Sequence, residues 1–164
     1  MIGCPGSGKS TFSRALHQIT GIPLFHLDML YWNKDKTTVE KAVFLERLEE
    51  AMQQSRWIID GNYASTMEQR MQACDTVIFL DYSLDLCLEG IRQRQGAARS
   101  DMPWVETEED TEFIEFIKRF RIESRPQILA LLEKYAEKNI YQFTIRSDAG
   151  NFLTQIRTGQ EQSV

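Results

Sequence analysis

Gly3-Cys4-Pro5-Gly6-Ser7-Gly8-Lys9-Ser10, followed by Thr11, satisfies the spacing G-x-x-x-x-G-K-[ST]. A chain that curls its backbone N–H groups around an anion needs glycine where a Cβ would block the curl. In such a loop Lys9 reaches the terminal phosphates of a nucleoside triphosphate, and the Ser10 hydroxyl sits on a magnesium ion. A helix opening here aims its positive end at the same phosphates. Gly3, Pro5, Gly6, Ser7, Gly8, Lys9, Ser10 and Thr11 are therefore the expected polyphosphate cradle, with ATP and Mg2+ as the expected ligands. The competing reading is a glycine-rich turn with an incidental lysine.

The remainder alternates strand and helix, which predicts an α/β fold with a parallel sheet. Phe12, Ala15, Leu16 and Ile19 mark a helix closed by Gly21 and Pro23. Pro23 to Leu27 reads as a strand that ends at Asp28. Thr37 and Glu40 have capping-box spacing before a helix to about Gln54, with Phe44, Leu48, Ala51 and Met52 inward. Trp57-Ile58-Ile59 predicts a buried strand ending in Asp60-Gly61. Ser65 and Glu68 offer a second capping box for a helix through Met71. Thr76 to Leu80 reads as the clearest buried strand, followed by a helix from Ser83 to Gln95.

Residues 96 to 109 turn small, polar and acidic around Met102-Pro103, as a mobile loop would. Helical pattern resumes near Thr111 and runs to about Lys138, bent or broken at Pro126. Ile140 to Ile145 is the last expected strand, and Phe152 to Ile156 lie on a terminal helix. Only Met1 and Ile2 precede Gly3, too few for a strand of ordinary length, so the first strand is expected to be truncated, with apolar residues missing upstream.

At 164 residues the chain suits one domain, 1–164. A net charge of −5 argues against a nucleic-acid partner. No apolar run is long enough to cross a bilayer, and the N-terminus has the pattern of neither a leader nor a cleavage site. Cys4, Cys74 and Cys87 show no metal spacing and read as reduced thiols, so the expected location is the cytoplasm.

Phosphoryl transfer needs positioning, a metal and positive charge. Asp60, at a strand end before a glycine, is the candidate magnesium carboxylate beside Ser10; a turn-forming Asp-Gly is the alternative. Asp28 is the candidate base for an attacking hydroxyl, or else a cap or loop aspartate. His26 would share its face as a packed or a catalytic histidine, with Tyr31 and Trp32 walling an acceptor pocket or belonging to the core. Arg92, Arg94 and Arg99 precede the acidic stretch, and Lys118, Arg119, Arg121 and Arg125 follow it. The two sets could close on triphosphate, or else form a solvated face paired with Glu106, Glu108, Glu109 and Glu112. Arg70 could face the acceptor or pair with a surface acid.

With these parts together, the chain resembles the adenylate-kinase-like P-loop NTPase group of nucleotide and small-molecule kinases. It is similar in particular to the bacterial DNA topology modulation proteins, through His26-Leu27-Asp28-Met29-Leu30-Tyr31-Trp32, Asp60-Gly61-Asn62-Tyr63 and Arg125-Pro126. The resemblance implies a five-stranded parallel sheet with helices on both faces and a lid over about 95–112. It implies ATP phosphates on Gly3 to Thr11, magnesium served by Asp60, Arg92 or Arg94 toward ATP, and adenine at a Ser147 to Gly150 turn. Adenylate kinases carry phenylalanine, proline and a phosphate-gripping arginine after the aspartate-glycine pair. Asn62-Tyr63 stand there instead, which favours a hydroxyl-bearing small-molecule acceptor over a nucleoside monophosphate. The expected catalytic set is Lys9, Asp28, Arg92, Arg94, Arg121 and Arg125. The alternative function is a nucleotide-gated regulatory or DNA-associated protein with little kinase activity.

Overall fold

The computed structural model describes residues 1–96, 99–104 and 111–161. The order of elements is β1 (Ile2–Gly3), α1 (Lys9–Thr20), β2 (Leu24–His26), α2 (Leu27–Tyr31), α3 (Lys41–Met52), β3 (Ile58–Asp60), α4 (Ala64–Ala73), β4 (Thr76–Leu80), α5 (Leu84–Arg94), α6 (Thr111–Lys134), β5 (Asn139–Phe143) and α7 (Arg146–Glu161). Every strand pairing is parallel. β4 reads Thr-Val-Ile-Phe-Leu and is buried from Val77 onward, as a strand covered on both sides must be. Phe79 and Leu80 are sealed from solvent at its end, each contributing about 2–3 kcal/mol of apolar burial.

The expected five-stranded sheet is found as five parallel strands hydrogen-bonded in two sets, β1–β4–β5 and β2–β3. The cause is the length of β1. Two residues provide a ladder to β4, pairing Ile2 with Phe79 and Gly3 with Leu80, but none of strand length to β3. Individual bonds close the seam. Met1 N donates to Ile59 O at 2.8 Å, and Gly61 N donates to Met1 O at 3.2 Å. Beyond Gly61 a side chain takes over: Gly3 N donates to Asn62 Oδ1 at 3.1 Å, and Asn62 Nδ2 donates to Gly3 O at 2.8 Å. The Asn62 amide thus continues a ladder that β3 has left.

Two apolar clusters follow the same division. The larger unites Phe12, Met67, Phe79, Ile117, Phe120 and Ile128, among others, around β1, β4 and β5. The smaller holds Leu27, Phe44, Leu48, Ala51 and Ile59 beneath α2 and α3. α1 packs against α7, whereas α6 packs against α5 and α4. No helix among the described residues is long and apolar enough to cross a membrane.

Several local expectations give way to other partners. Neither capping box forms: α3 begins after Glu40 and α4 after Tyr63, with no side-chain cap on either. Thr37 instead binds Asp35 Oδ1 through its amide and hydroxyl, and Glu68 binds Lys134 and Tyr135. α6 runs through Pro126 as one helix. The expected Ser147 to Gly150 turn is the opening of α7. Of the expected lid, Ala97, Ala98 and residues 105–110 lie outside the described residues, and with them Glu106, Glu108 and Glu109.

Candidate active site

The phosphate loop rests on the backbone of α5. A Cβ on Gly6 would fall 2.0 Å from Cys87 O, and one on Gly90 would fall 2.1 Å from Gly6 O. Gly6 also has φ +81°, a value that L side chains rarely adopt. Two glycines on separate elements therefore allow one contact. The loop closes with Ser7 N donating to Cys4 O at 3.1 Å, and α1 starts with Phe12 N donating to Gly8 O. No side chain caps α1 and no acid stands in its first turn, so its N–H groups and positive end are left to a ligand. Lys9 arches back over the loop, its Nζ donating to Cys4 O at 3.2 Å. A cavity of about 490 Å³ opens in front, lined by loop residues Gly6 to Thr11 and by Arg94, Arg99, Asp101 and Gly150. That volume lies within the range of small-molecule sites. Gly3, in β1, and Pro5 do not line it.

Asp60 ends β3 beside Ser10, nearly sealed from solvent. His26 Nδ1 donates to Asp60 Oδ2 at 2.9 Å, whereas Asp60 Oδ1 has no hydrogen-bond partner among the described residues. Burial opposes ionisation, but the His26 bond, the Lys9 charge and the Ser10 hydroxyl outweigh it and hold the carboxyl below the usual carboxylate range. An orphaned, ionised carboxylate oxygen beside the Ser10 hydroxyl suits a hydrated magnesium ion. Ser7 Oγ is likewise buried without a partner in the loop. The residues present fit ATP·Mg.

Asp28 stands in the first turn of α2, two residues beyond the end of the strand it was expected to close. Tyr63 Oη donates to Asp28 Oδ1 at 2.7 Å. Burial pushes the Asp28 carboxyl up, and neighbouring Asp60 adds to this, while the Tyr63 bond and Lys9 pull the other way. The net result is a stronger base than an ordinary aspartate. Tyr63 itself holds φ +36°, a left-handed conformation that costs a non-glycine residue on the order of 1 kcal/mol. Arg70 on α4 fixes that turn. Its guanidinium donates to Gly61 O at 2.9 Å, to Asn62 O, and to Tyr63 O at 3.3 Å. Arg70 therefore faces neither an acceptor nor a surface acid; it secures the backbone that carries Tyr63. Tyr31, Trp32, Phe44 and Tyr63 form an aromatic wall by edge and tilted contacts at 5.1–5.2 Å. Trp104, from the 99–104 segment, meets Trp32 edge-on at 5.4 Å.

The arginines separate. Arg94 and Arg99 line the cavity, and the Arg94 guanidinium lies over the Phe113 ring at 5.8 Å. Arg92 and Arg121 are exposed and do not line it. Arg125 grips Asp81 with two bonds of 2.7 Å, and neither residue lines the cavity. Lys118 and Arg119 pair with Glu115 and Glu123 on their own helix. Arg14, Asp101, Arg146 and Trp104 were not singled out in the sequence. Arg14 alone had a signal, lying one turn beyond Ser10 on the same helix face.

Neither the protein-family models nor the curated proteins give a match to this chain. Among solved structures, the fold is similar to that of shikimate kinase from Bacteroides thetaiotaomicron, with a TM-score of 0.54 over 97% of this chain and 95% of that one, at 20% identity. The likeness is one of fold: a phosphate-loop α/β architecture with parallel strands.

Proposed function

We propose that the chain is an ATP-dependent phosphotransferase whose acceptor is a small molecule bearing a hydroxyl group. One observation carries the reading: a phosphate loop with uncapped helix N–H groups lies next to a half-buried carboxylate, Asp28, that a tyrosine orients and desolvation makes more basic. Magnesium, when bound, would be held by Ser10 and Asp60 and would neutralise phosphate charge. The loop amides and Lys9 bind the triphosphate, and Arg94 and Arg99 add positive charge from the far wall of the cavity. Asp28 accepts the proton of the acceptor hydroxyl as the new P–O bond forms and the bond to the ADP oxygen breaks.

The acceptor's class follows from what surrounds Asp28. Arg70, expected either to face the acceptor or to pair with a surface acid, instead holds three carbonyl oxygens. A phosphate beside Asp28 and Asp60 would meet like charge. The aromatic wall suits a neutral alcohol with an apolar face. Fold likeness to a shikimate kinase supports the kinase reading at the level of architecture.

The test is an ATP-consumption screen over nucleosides, nucleoside monophosphates, sugars and shikimate-like alcohols. We expect turnover with a neutral alcohol and loss of that turnover in Asp28→Asn. Turnover confined to nucleoside monophosphates would reject the acceptor class, and no acceptor-stimulated turnover would reject the kinase.

A further inference from the structure

A carboxylate already stands in the cavity that the phosphate loop lines. Asp101, in the 99–104 segment beyond α5, is only 3% exposed. Arg99 holds it with two bonds, Nη2 to Oδ2 at 2.6 Å and Nε to Oδ1 at 3.3 Å. Arg14 on α1 donates from Nη1 to Oδ1 at 3.3 Å and from Nη2 to Thr11 Oγ1 at 3.3 Å. The Ser10 hydroxyl lies beside the same carboxylate. Asp101 is thus paired with two guanidinium groups, Arg14 at 3.3 Å and Arg99 at 2.6 Å. Ser10, Arg14, Arg99 and Asp101 all line the one cavity. Two guanidinium groups and a loop hydroxyl are the donors by which proteins grip phosphate.

We propose that Asp101 is an intramolecular competitor for the polyphosphate, occupying with its carboxylate the donors that the incoming anion needs. This rests on the reading of the loop as a triphosphate site. A polyphosphate entering the cavity meets the Asp101 charge and displaces it, and Arg14 and Arg99 pass from the carboxylate to the ligand. Because Trp104 lies on the same segment and packs on Trp32, displacement of Asp101 also shifts the cover of the acceptor wall. Apparent affinity is then reduced by the fraction of molecules in which Asp101 holds the site. Asp101 is thus a specificity residue: ligands too weakly charged to displace it do not engage the two arginines.

The experiment titrates ATP and inorganic tripolyphosphate into the full chain and into Asp101→Asn and Asp101→Ser, by calorimetry and by tryptophan fluorescence. Removing the charge is expected to tighten both ligands about tenfold. It should also shrink the ligand-induced fluorescence change, since the segment is then no longer latched beforehand. Equal affinity in all three proteins overturns the proposal. Weaker binding in both variants also overturns it, placing Asp101 on the ligand's side as a positioning residue. If ATP binds none of the proteins while tripolyphosphate still shows the gain, the nucleotide reading falls and the competitor stands. If neither ligand binds, both fall.

Discussion

The two ends of the crevice are built from different material. At the end proposed for the phosphates the groups on offer are backbone: Gly6 lies against Cys87 O and Gly90 against Gly6 O, and the amides of α1 are left open to the cavity. At the end proposed for the acceptor the groups on offer are side chains: Tyr63 is held in a left-handed turn by Arg70 and donates to Asp28, within a wall of aromatic rings. Backbone recognition serves any polyphosphate and tolerates few substitutions. Side-chain recognition is specific to one ligand and each of its parts is individually replaceable. Substitutions at the first end should therefore abolish binding, and those at the second should retune it.

The largest expected effect is that of Lys9→Ala. It should lower phosphotransfer about 10³-fold, as loss of a transition-state cation does, while the thermal midpoint stays near that of the parent. Undiminished transfer would break the contrast at its strongest point. Gly6→Ala comes next. Its new methyl meets Cys87 O at a backbone angle that alanine resists, so we expect a loss of about 3 kcal/mol in denaturant unfolding, together with ATP binding.

Arg125→Ala is the control, because Arg125 was expected at the phosphates and instead grips Asp81. It should cost about 2 kcal/mol, less than a fully buried pair because the arginine is partly exposed, and leave ATP affinity unchanged. Its pH dependence has a definite sign. Burial opposes ionisation of Asp81, but Arg125 and Gln142 outweigh it and depress the carboxyl. The parent's advantage is thus present above the ordinary aspartate value of about 3.9 and fades as pH falls below it toward the depressed folded value. Equal midpoints of parent and variant at neutral pH would contradict this. The smallest effect is that of Tyr63→Phe. Tyr63's hydrogen bond restrains the upward shift of Asp28. Its loss should raise the acid limb of the rate profile by less than about one pH unit, with ATP affinity unaffected. A downward move would place the tyrosine's influence elsewhere.

What was legible in the sequence follows the same contrast. The loop was readable because its glycines answer to backbone geometry, and β4 because a doubly covered strand has a composition of its own. Asp28 and Asp60 were placed near one another from the ends of two strands, and in the structure the Lys9 charge acts on both carboxyls. The capping boxes failed because Thr37 and Glu68 found nearer or stronger partners, Asp35 in one case and Lys134 in the other. The arginines of α6 were legible as charges but not as contacts: spacing gives the helix face and does not say that Arg125 turns toward Asp81. Asp101 was lost in an acidic stretch where nothing local marks one carboxylate as buried.

Asn62 gives the seam between the strand sets a chemical weak point. Its amide faces one residue as acceptor and donor at once, a role no ionised carboxylate can fill. Hydrolysis of that amide, the slow chemistry by which asparagine ages, would turn the donor into a carboxylate oxygen pressed against the Gly3 carbonyl. The seam would then be left to the two backbone bonds that Met1 makes with Ile59 and Gly61.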